Sequence, residues 1–432
     1  MEDAVNSLTL VWMIGIFGSV SMVMASCPEK CQCNSDYFVY CKHASINDYQ
    51  LRQIMDTMPS DVRLLDLGSN QIVNISDNFF FHLPNLEYLN LSDNWIVNVE
   101  QGAFQSQRKL RDLNLQRNFV TQLKEGTFKG LVNVKTLNLA ANNIKNIEGK
   151  TFSSLDILQQ LYLQENKLDN ISSHMFEGLD DLHFLDLSHN DISTIAEESF
   201  LPLTELWDLR LNHNKLQNVD AKSFDKQVAI RQLDLSHNQI ENIDFLASCQ
   251  FRETISTISL SHNSVFHLPF HVVSTVRRLA TLDLSENQIT SISESAFFGL
   301  SLLKLNLSGN DLLKIDRNMF ANMRKLAHLD LSFNNLQEIK TGAFDSFRET
   351  VYYLNLENNF LTEVNTGMFR GMKNLLTLTL DNNSIKNIYK GSFQQLVKLE
   401  ELTMSNNKLT KVTNSMLKGP QLNTLYLHHN NL

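Results

Sequence analysis

Few residues in this chain are placed to do covalent chemistry. Glu148-Gly149-Lys150-Thr151 echoes the tail of a phosphate-binding loop, but the position that needs the loop's first glycine is Ile144. A branched apolar side chain there leaves no backbone cradle for a phosphate. No H-E-x-x-H zinc helix, G-x-S-x-G nucleophile elbow or EF-hand loop appears anywhere. His189, His213, His237 and His262 each stand immediately before an asparagine at near-constant spacing. Such a column raises metal binding or proton sensing; a solvated turn that suits a repeat is the plainer reading and is preferred. The expectation is a protein without catalytic residues, metal or cofactor.

Cys27, Cys31, Cys33 and Cys41 crowd into one short stretch. A four-thiolate zinc site would need two C-x-x-C halves, which this spacing lacks. The stretch directly follows an almost continuously apolar run, Leu8 to Ala25, that ends in Val23-Met24-Ala25. Small residues before a cut after Ala25 read as a secretory leader over residues 1–25, although Glu2 and Asp3 depart from the usual basic start. An oxidising route makes two disulfides the natural fate of the four cysteines, with three pairings open. Cys249, the odd one, reads as a small buried apolar residue.

The elements that must hold these groups come from a repeat. L-x-x-L-x-L-x-x-N is written plainly from Leu86 to Asn94 and recurs to give sixteen lanes, anchored at Asn70, Asn94, Asn118, Asn142, Asn166, Asn190, Asn214, Asn238, Asn263, Asn287, Asn310, Asn334, Asn359, Asn383, Asn407 and Asn430. Leucines alternating with polar residues predict a strand with one buried face. The remainder of each lane must bring the chain back to start the next parallel strand. Such a coil cannot bury its leucines alone, so the lanes stack into a solenoid. The anchor amide is expected to satisfy backbone groups in the turn after the strand. Phenylalanine ten residues past the anchor, from Phe80 to Phe393, forms a spine in most lanes; Ser248 and Val273 interrupt it. The fold class predicted is a right-handed α/β solenoid, a horseshoe with a parallel β-sheet on its concave face.

The 432 residues, 43% hydrophobic and 19% charged, exclude a disordered chain, and a net charge of −10 argues against grip on nucleic acid through phosphates. In its repeat and in Cys27-Pro28-Glu29-Lys30-Cys31-Gln32-Cys33 through Cys41, the chain resembles extracellular leucine-rich repeat proteins of the 24-residue type. Chaoptin and connectin, Toll-type ectodomains, slit and the small matrix proteoglycans look similar in these features. The resemblance implies the cap pairing Cys27–Cys33 and Cys31–Cys41, and a concave surface that binds protein. The organisation expected is a leader at 1–25, a cysteine-rich cap at 26–61, and sixteen repeats over 62–432. The last repeat is truncated and without a C-terminal cap, so Leu422, Leu425 and Leu427 are expected to face water.

Register makes the concave positions readable: the residue four before each anchor points outward between two buried leucines. Tyr162, Asp186, Arg210 and Asp234 are consecutive positions of this kind, and flanking strand positions add Phe184, Trp207 and Asp208. Large aromatics beside an arginine match what protein-binding hot spots use. Sequons at Asn74, Asn90, Asn170, Asn306 and Asn382 are candidate glycan sites. Asn90 and Asn306 are themselves concave, so the open stretch would lie between them. The function expected is an extracellular protein-binding module, the ectodomain of a cell-surface recognition or adhesion receptor. The alternatives are a secreted matrix or carrier protein and an innate-immune pattern-recognition receptor. Its partner would be a protein ligand or cell-surface receptor and not nucleic acid; membrane attachment would require sequence beyond Leu432, and a homodimer stays open.

Overall fold

Alternation of leucine with polar residues along each lane resolves into a strand of three residues whose central leucine is sealed and whose neighbours look outward. The computed structural model describes residues 27–432 apart from 36, 225, 271, 274 and 295; the expected leader lies outside the described residues. A hairpin of β1 (Gln32–Ser35) and β2 (Phe38–Tyr40) starts the sheet, and β2 pairs in parallel with β3 (Leu64–Asp66). Every later lane adds one parallel strand, ending at Thr424–Tyr426, for 18 strands in all. Register never slips along the lanes: Phe184 lies opposite Asp208, Leu185 opposite Leu209 and Asp186 opposite Arg210. The result is a solenoid with its parallel sheet on the concave face, as the repeat predicts.

Each anchor asparagine does more than serve its own turn. Asn214 Nδ2 donates to the carbonyl of Leu211 in its own lane at 3.0 Å and to that of Leu187 in the preceding lane at 3.0 Å. Its Oδ1 accepts the amide of Ile192, also in the preceding lane, at 3.0 Å. The same bridges recur from Asn94 to Asn407. Buried backbone groups that stacking cuts off from water are thereby paired. On the far side of the core the phenylalanines stack in turn, with Phe176–Phe200 at 6.0 Å and Phe369–Phe393 at 6.2 Å.

The helical part of the expected α/β architecture is small. Among the described residues the one α-helix, α1 (Asp48–Thr57), belongs to the cap. It opens on a capping box between Asn47 and Gln50 and lays Leu51, Ile54 and Met55 into the core. The return segments are turns, short 3₁₀ helices and two-residue strands such as Asn170–Ile171, because a lane of about 24 residues leaves little chain for a helix. The cap carries Cys27–Cys33 and Cys31–Cys41, the pairing that the family resemblance implied.

Where the phenylalanine spine is interrupted, the strands stay in register and the return path changes. Two 3₁₀ turns, Asp244–Ala247 and Gln250–Glu253, bring Phe245 and Phe251 into the core against Phe224, at 6.3 Å and 5.4 Å. Val272, Val273 and Val276 fill the next lane. Cys249 sits in this repacked core, free and buried, and burial pushes its thiol up to about 12. In the final lane Leu425 is 36% exposed, whereas the matching Leu402 is sealed; Leu422 and Leu427, expected to face water, are partly buried because they pack against the preceding lane's core.

Asn190→Ala should destabilise the solenoid by about 1–3 kcal/mol for each buried backbone group it orphans, and Phe200→Ala by about 3–5 kcal/mol. Denaturant unfolding checks both, with the largest loss of amide protection expected in the lanes on either side. Reducing the cap should lower the melting temperature, since a disulfide typically contributes about 2–4 kcal/mol.

Candidate functional site

The concave wall is assembled from residues about 24 apart in sequence that register places side by side. Tyr162 and Phe184 meet across neighbouring lanes with ring centroids 5.1 Å apart. The Arg210 guanidinium lies 4.7 Å over the Phe184 ring, a cation–π contact. The same guanidinium reaches Asp208 Oδ2 at 3.3 Å and Asp186 Oδ2 at 3.9 Å. These five residues therefore form one connected cluster. Trp207, 39% exposed at the entry of its strand, and half-buried Asp234 flank it.

Burial divides the cluster into two tiers. Asp186 and Asp208 are buried, while Tyr162, Phe184 and Arg210 are half-buried and present surface. Burial raises the Asp208 carboxyl above its ordinary range, and Arg210 opposes that rise. Burial likewise raises the Tyr162 hydroxyl. The two carboxylates thus hold Arg210 over the Phe184 ring, leaving Tyr162, Trp207 and the exposed part of the guanidinium for contact.

Sequence reasoning missed a structural task of the aspartates. Asp186 Oδ1 accepts the Ser188 amide at 2.9 Å and the Ser188 hydroxyl at 2.6 Å. Asp234 with Ser236, Asp283 with Ser285 and Asp330 with Ser332 repeat the arrangement. The Asp-Leu-Ser spelling of these lanes was the available signal, since such side chains close turns on their own backbone. Also missed was a row of apolar residues at strand entries in the second half, where Leu303, Tyr352 and Leu376 are exposed. They occupy the same lane position as Trp207.

The sequons fall into two classes. Asn74 and Asn170 are exposed at short strands on the return side. Asn90, Asn306 and Asn382 are half-buried, the first two at the ends of concave strands and the third in a bend. Asn90 Nδ2 donates to Asp66 Oδ1 at 2.8 Å, and Asn382 Nδ2 to Glu357 Oε1 at 3.0 Å. Asn306 Oδ1 accepts the Ser308 amide at 3.1 Å. Among the described residues, no group of three or more His, Cys, Asp or Glu is arranged to hold a metal ion, and no helix is long and apolar enough to cross a membrane.

A family model described as leucine rich repeat matches the chain over residues 60–120, 108–168, 132–192, 158–216, 185–240, 253–312, 302–350 and 349–409. The sequence matches none of the curated proteins. Among solved structures the fold is shared with Toll in the Toll–Spatzle complex of Drosophila, at 17% identity and a TM-score of 0.75 over 93% of this chain and 56% of that one. A leucine-rich repeat protein of Leptospira interrogans is similar at 23% identity, with a TM-score of 0.67, over 83% of this chain and 87% of that one. The leucine-rich repeat domain of APL1 is similar at 25% identity, with a TM-score of 0.59, over 74% and 80% of the two chains. The chain spans little more than half the length of the Toll structure.

Arg210→Met should expose the electrostatics of the cluster. Burial already favours the protonated form of Asp208, so the folded state binds its proton more tightly than the unfolded chain does. Stability from this group is therefore greater at acid pH and declines as pH rises through the raised value. Removing the arginine widens that gap. Thermal unfolding of Arg210→Met against the parent protein should show a larger deficit at pH 7 than at pH 4.

Proposed function

This chain belongs to the leucine-rich repeat family, and we propose that it is an extracellular protein-binding module, the ectodomain of a cell-surface recognition or adhesion receptor. Its partner is a protein, and its binding face is the concave sheet around Tyr162, Phe184, Trp207 and Arg210. The observation that carries this reading is the connected cluster itself: aromatic faces and a guanidinium fixed by two buried carboxylates on a rigid sheet. Aromatic residues and arginine dominate protein-binding hot spots because they bury large areas at little entropic cost. Preorganisation adds to this, since the side chains lose little freedom on docking.

Two further observations support the setting. Paired cap cysteines suit an oxidising compartment. The Toll structure of like fold is a complex with Spatzle, which makes a protein the first class of partner to try. The two exposed sequons, Asn74 and Asn170, suit glycans away from the concave sheet.

A binding screen of the secreted chain against a panel of cell-surface and secreted proteins supplies the partner. Trp207→Ala should then weaken its affinity by about 2 kcal/mol or more, and an unchanged affinity removes the cluster from the interface. Ser259→Asn creates the sequon Asn-Leu-Ser on the concave face, and a glycan attached there should abolish binding. Full binding by the glycosylated variant would move the interface to the convex side or an edge.

A further inference from the structure

His189, His213, His237 and His262 form a continuous ladder along the rim of the concave sheet. Their rings stack at centroid distances of 4.1, 4.0 and 4.1 Å, within 13° of parallel. Each rung is fixed from the backbone. All four residues have φ between 52° and 54°, and each rung's amide donates to a carbonyl of the next lane: Asn212, Ser236, Ser261 and Ser285 at 2.8–3.0 Å. Among the described residues no side chain hydrogen-bonds their ring nitrogens. A metal would need lone pairs that converge on one point. Lone pairs lie in the ring planes, and parallel planes keep them apart. What a stack of free imidazoles does respond to is the proton.

The surroundings are acidic. Glu165 and Glu286 occupy the rung position in the lanes just beyond the two ends, with the same positive φ. On the strand side the ladder's lanes carry Asp186, Asp208 and Asp234, with Asp283 in the adjoining Glu286 lane, and Arg210 is engaged by the first two. On the other side Lys215 is paired with Asp191 at 2.6 Å, and Lys167 in the adjoining Glu165 lane and Arg231 at a strand entry are the further cations on this side of the coil, since Lys222, Lys226 and Arg252 stand on the return segments, Lys222 paired with Glu197 and Arg252 with Glu253. At neutral pH the neutral ladder therefore borders a shelf on which carboxylates outnumber cations. Burial and neighbouring imidazoles hold His213 and His237 below the usual imidazole range, with Asp234 opposing. Adjacent rungs at about 4 Å resist joint protonation. The end rungs are three steps apart, beyond the screening length of about 8 Å at physiological ionic strength. Acidification thus turns a neutral rim into a positive one, with joint charging of neighbouring rungs disfavoured by their stacking.

We infer that the ladder is the proton-operated rim of the concave site: when neutral, it leaves an acidic shelf that takes a cationic segment of the protein partner, and when protonated, it repels that segment. The inference rests on the concave reading above and adds the partner's chemistry and its release. Charge complementarity sets the sign. A basic segment is held by Asp234, Asp283 and the flanking glutamates, and each proton taken up by the rim offsets one of those charges.

The test uses the full secreted chain, with a fluorescent nonalysine peptide as the cationic probe. Its affinity is measured at pH 7.4 and pH 5.5 for the parent and for the combined variant His189→Asn, His213→Asn, His237→Asn, His262→Gln, glutamine at the last rung avoiding the sequon that asparagine would form with Asn263 and Ser264. Asparagine fits the site: Asn358, Asn382 and Asn406 hold the same lane position at the same positive φ. The parent should bind about fivefold or more weakly at pH 5.5, and the variant should lose most of that change. Thermal unfolding supplies a readout without a ligand. The inner rungs have folded values below the unfolded one, so their stabilisation is present above the ordinary imidazole range and lost as pH falls below it. The parent's melting temperature should therefore drop further between the two pH values than the variant's. An equal pH response of binding in the two proteins overturns the ladder's role. No probe binding at pH 7.4, or stronger binding at pH 5.5, overturns the cationic partner. Once a partner is in hand, insensitivity to Trp207→Ala and Ser259→Asn removes the concave site itself. Sensitivity to both without a pH response removes only the ladder.

Discussion

The anchor amide between lanes is the interaction on which the rest of the molecule depends. Burying leucines from stacked coils drives assembly, but the same burial strands the carbonyls and amides of each bend away from water. An asparagine whose three shortest bonds go to one carbonyl of its own lane, one of the lane before and an amide of that earlier lane satisfies three such groups at once, with a longer bond to a second carbonyl of its own turn. Since two of the three bonds cross between lanes, the amide also sets how one lane sits on the next. A slip of one residue would break these bonds and turn the leucines outward. Register is therefore enforced twice, by apolar burial and by polar satisfaction.

That double enforcement explains what was legible from the amino-acid order. Anchors, strands, the solenoid and the concave positions follow from a period of about 24, because each is a consequence of register. The cap pairing was legible only through resemblance; spacing alone left three arrangements open. Features that depend on local volume were hidden. Phe245 and Phe251 refill the spine from positions out of phase with it, inside a lane one residue longer than most, and no periodic reading finds them. The buried tier under Arg210 was hidden for a related reason. Asp186 and Asp208 look like surface charges in the repeat, yet neighbouring lanes cover them and Ser188 closes a turn on Asp186. The ladder was visible as a column, but its rings are closer than the rungs of about 5 Å that strand spacing suggests. Side chains reaching toward the inside of a curved stack converge, so ring separation falls below the backbone pitch.

Rigid register also decides what kind of recognition the wall can perform. Arg210 is engaged by two carboxylates and an aromatic face, so its role is to hold Phe184 and present an edge, leaving little of its charge to attract a partner. In the proposed concave reading, shape and apolar contact fall to Tyr162, Phe184 and Trp207, while net charge is left to the acids beside the histidines. Separating these tasks matters because they respond differently to solution conditions. Burial of aromatic surface is almost indifferent to pH between neutral and mildly acid, whereas the charge of the imidazole rim changes within that interval. On the proposed reading, a sheet that keeps one register from lane to lane modulates affinity by charge in place of movement. Under the proposal, protonation of side chains already held in place alters the field over the wall without moving it, and rings stacked at 4.0–4.1 Å resist joint charging.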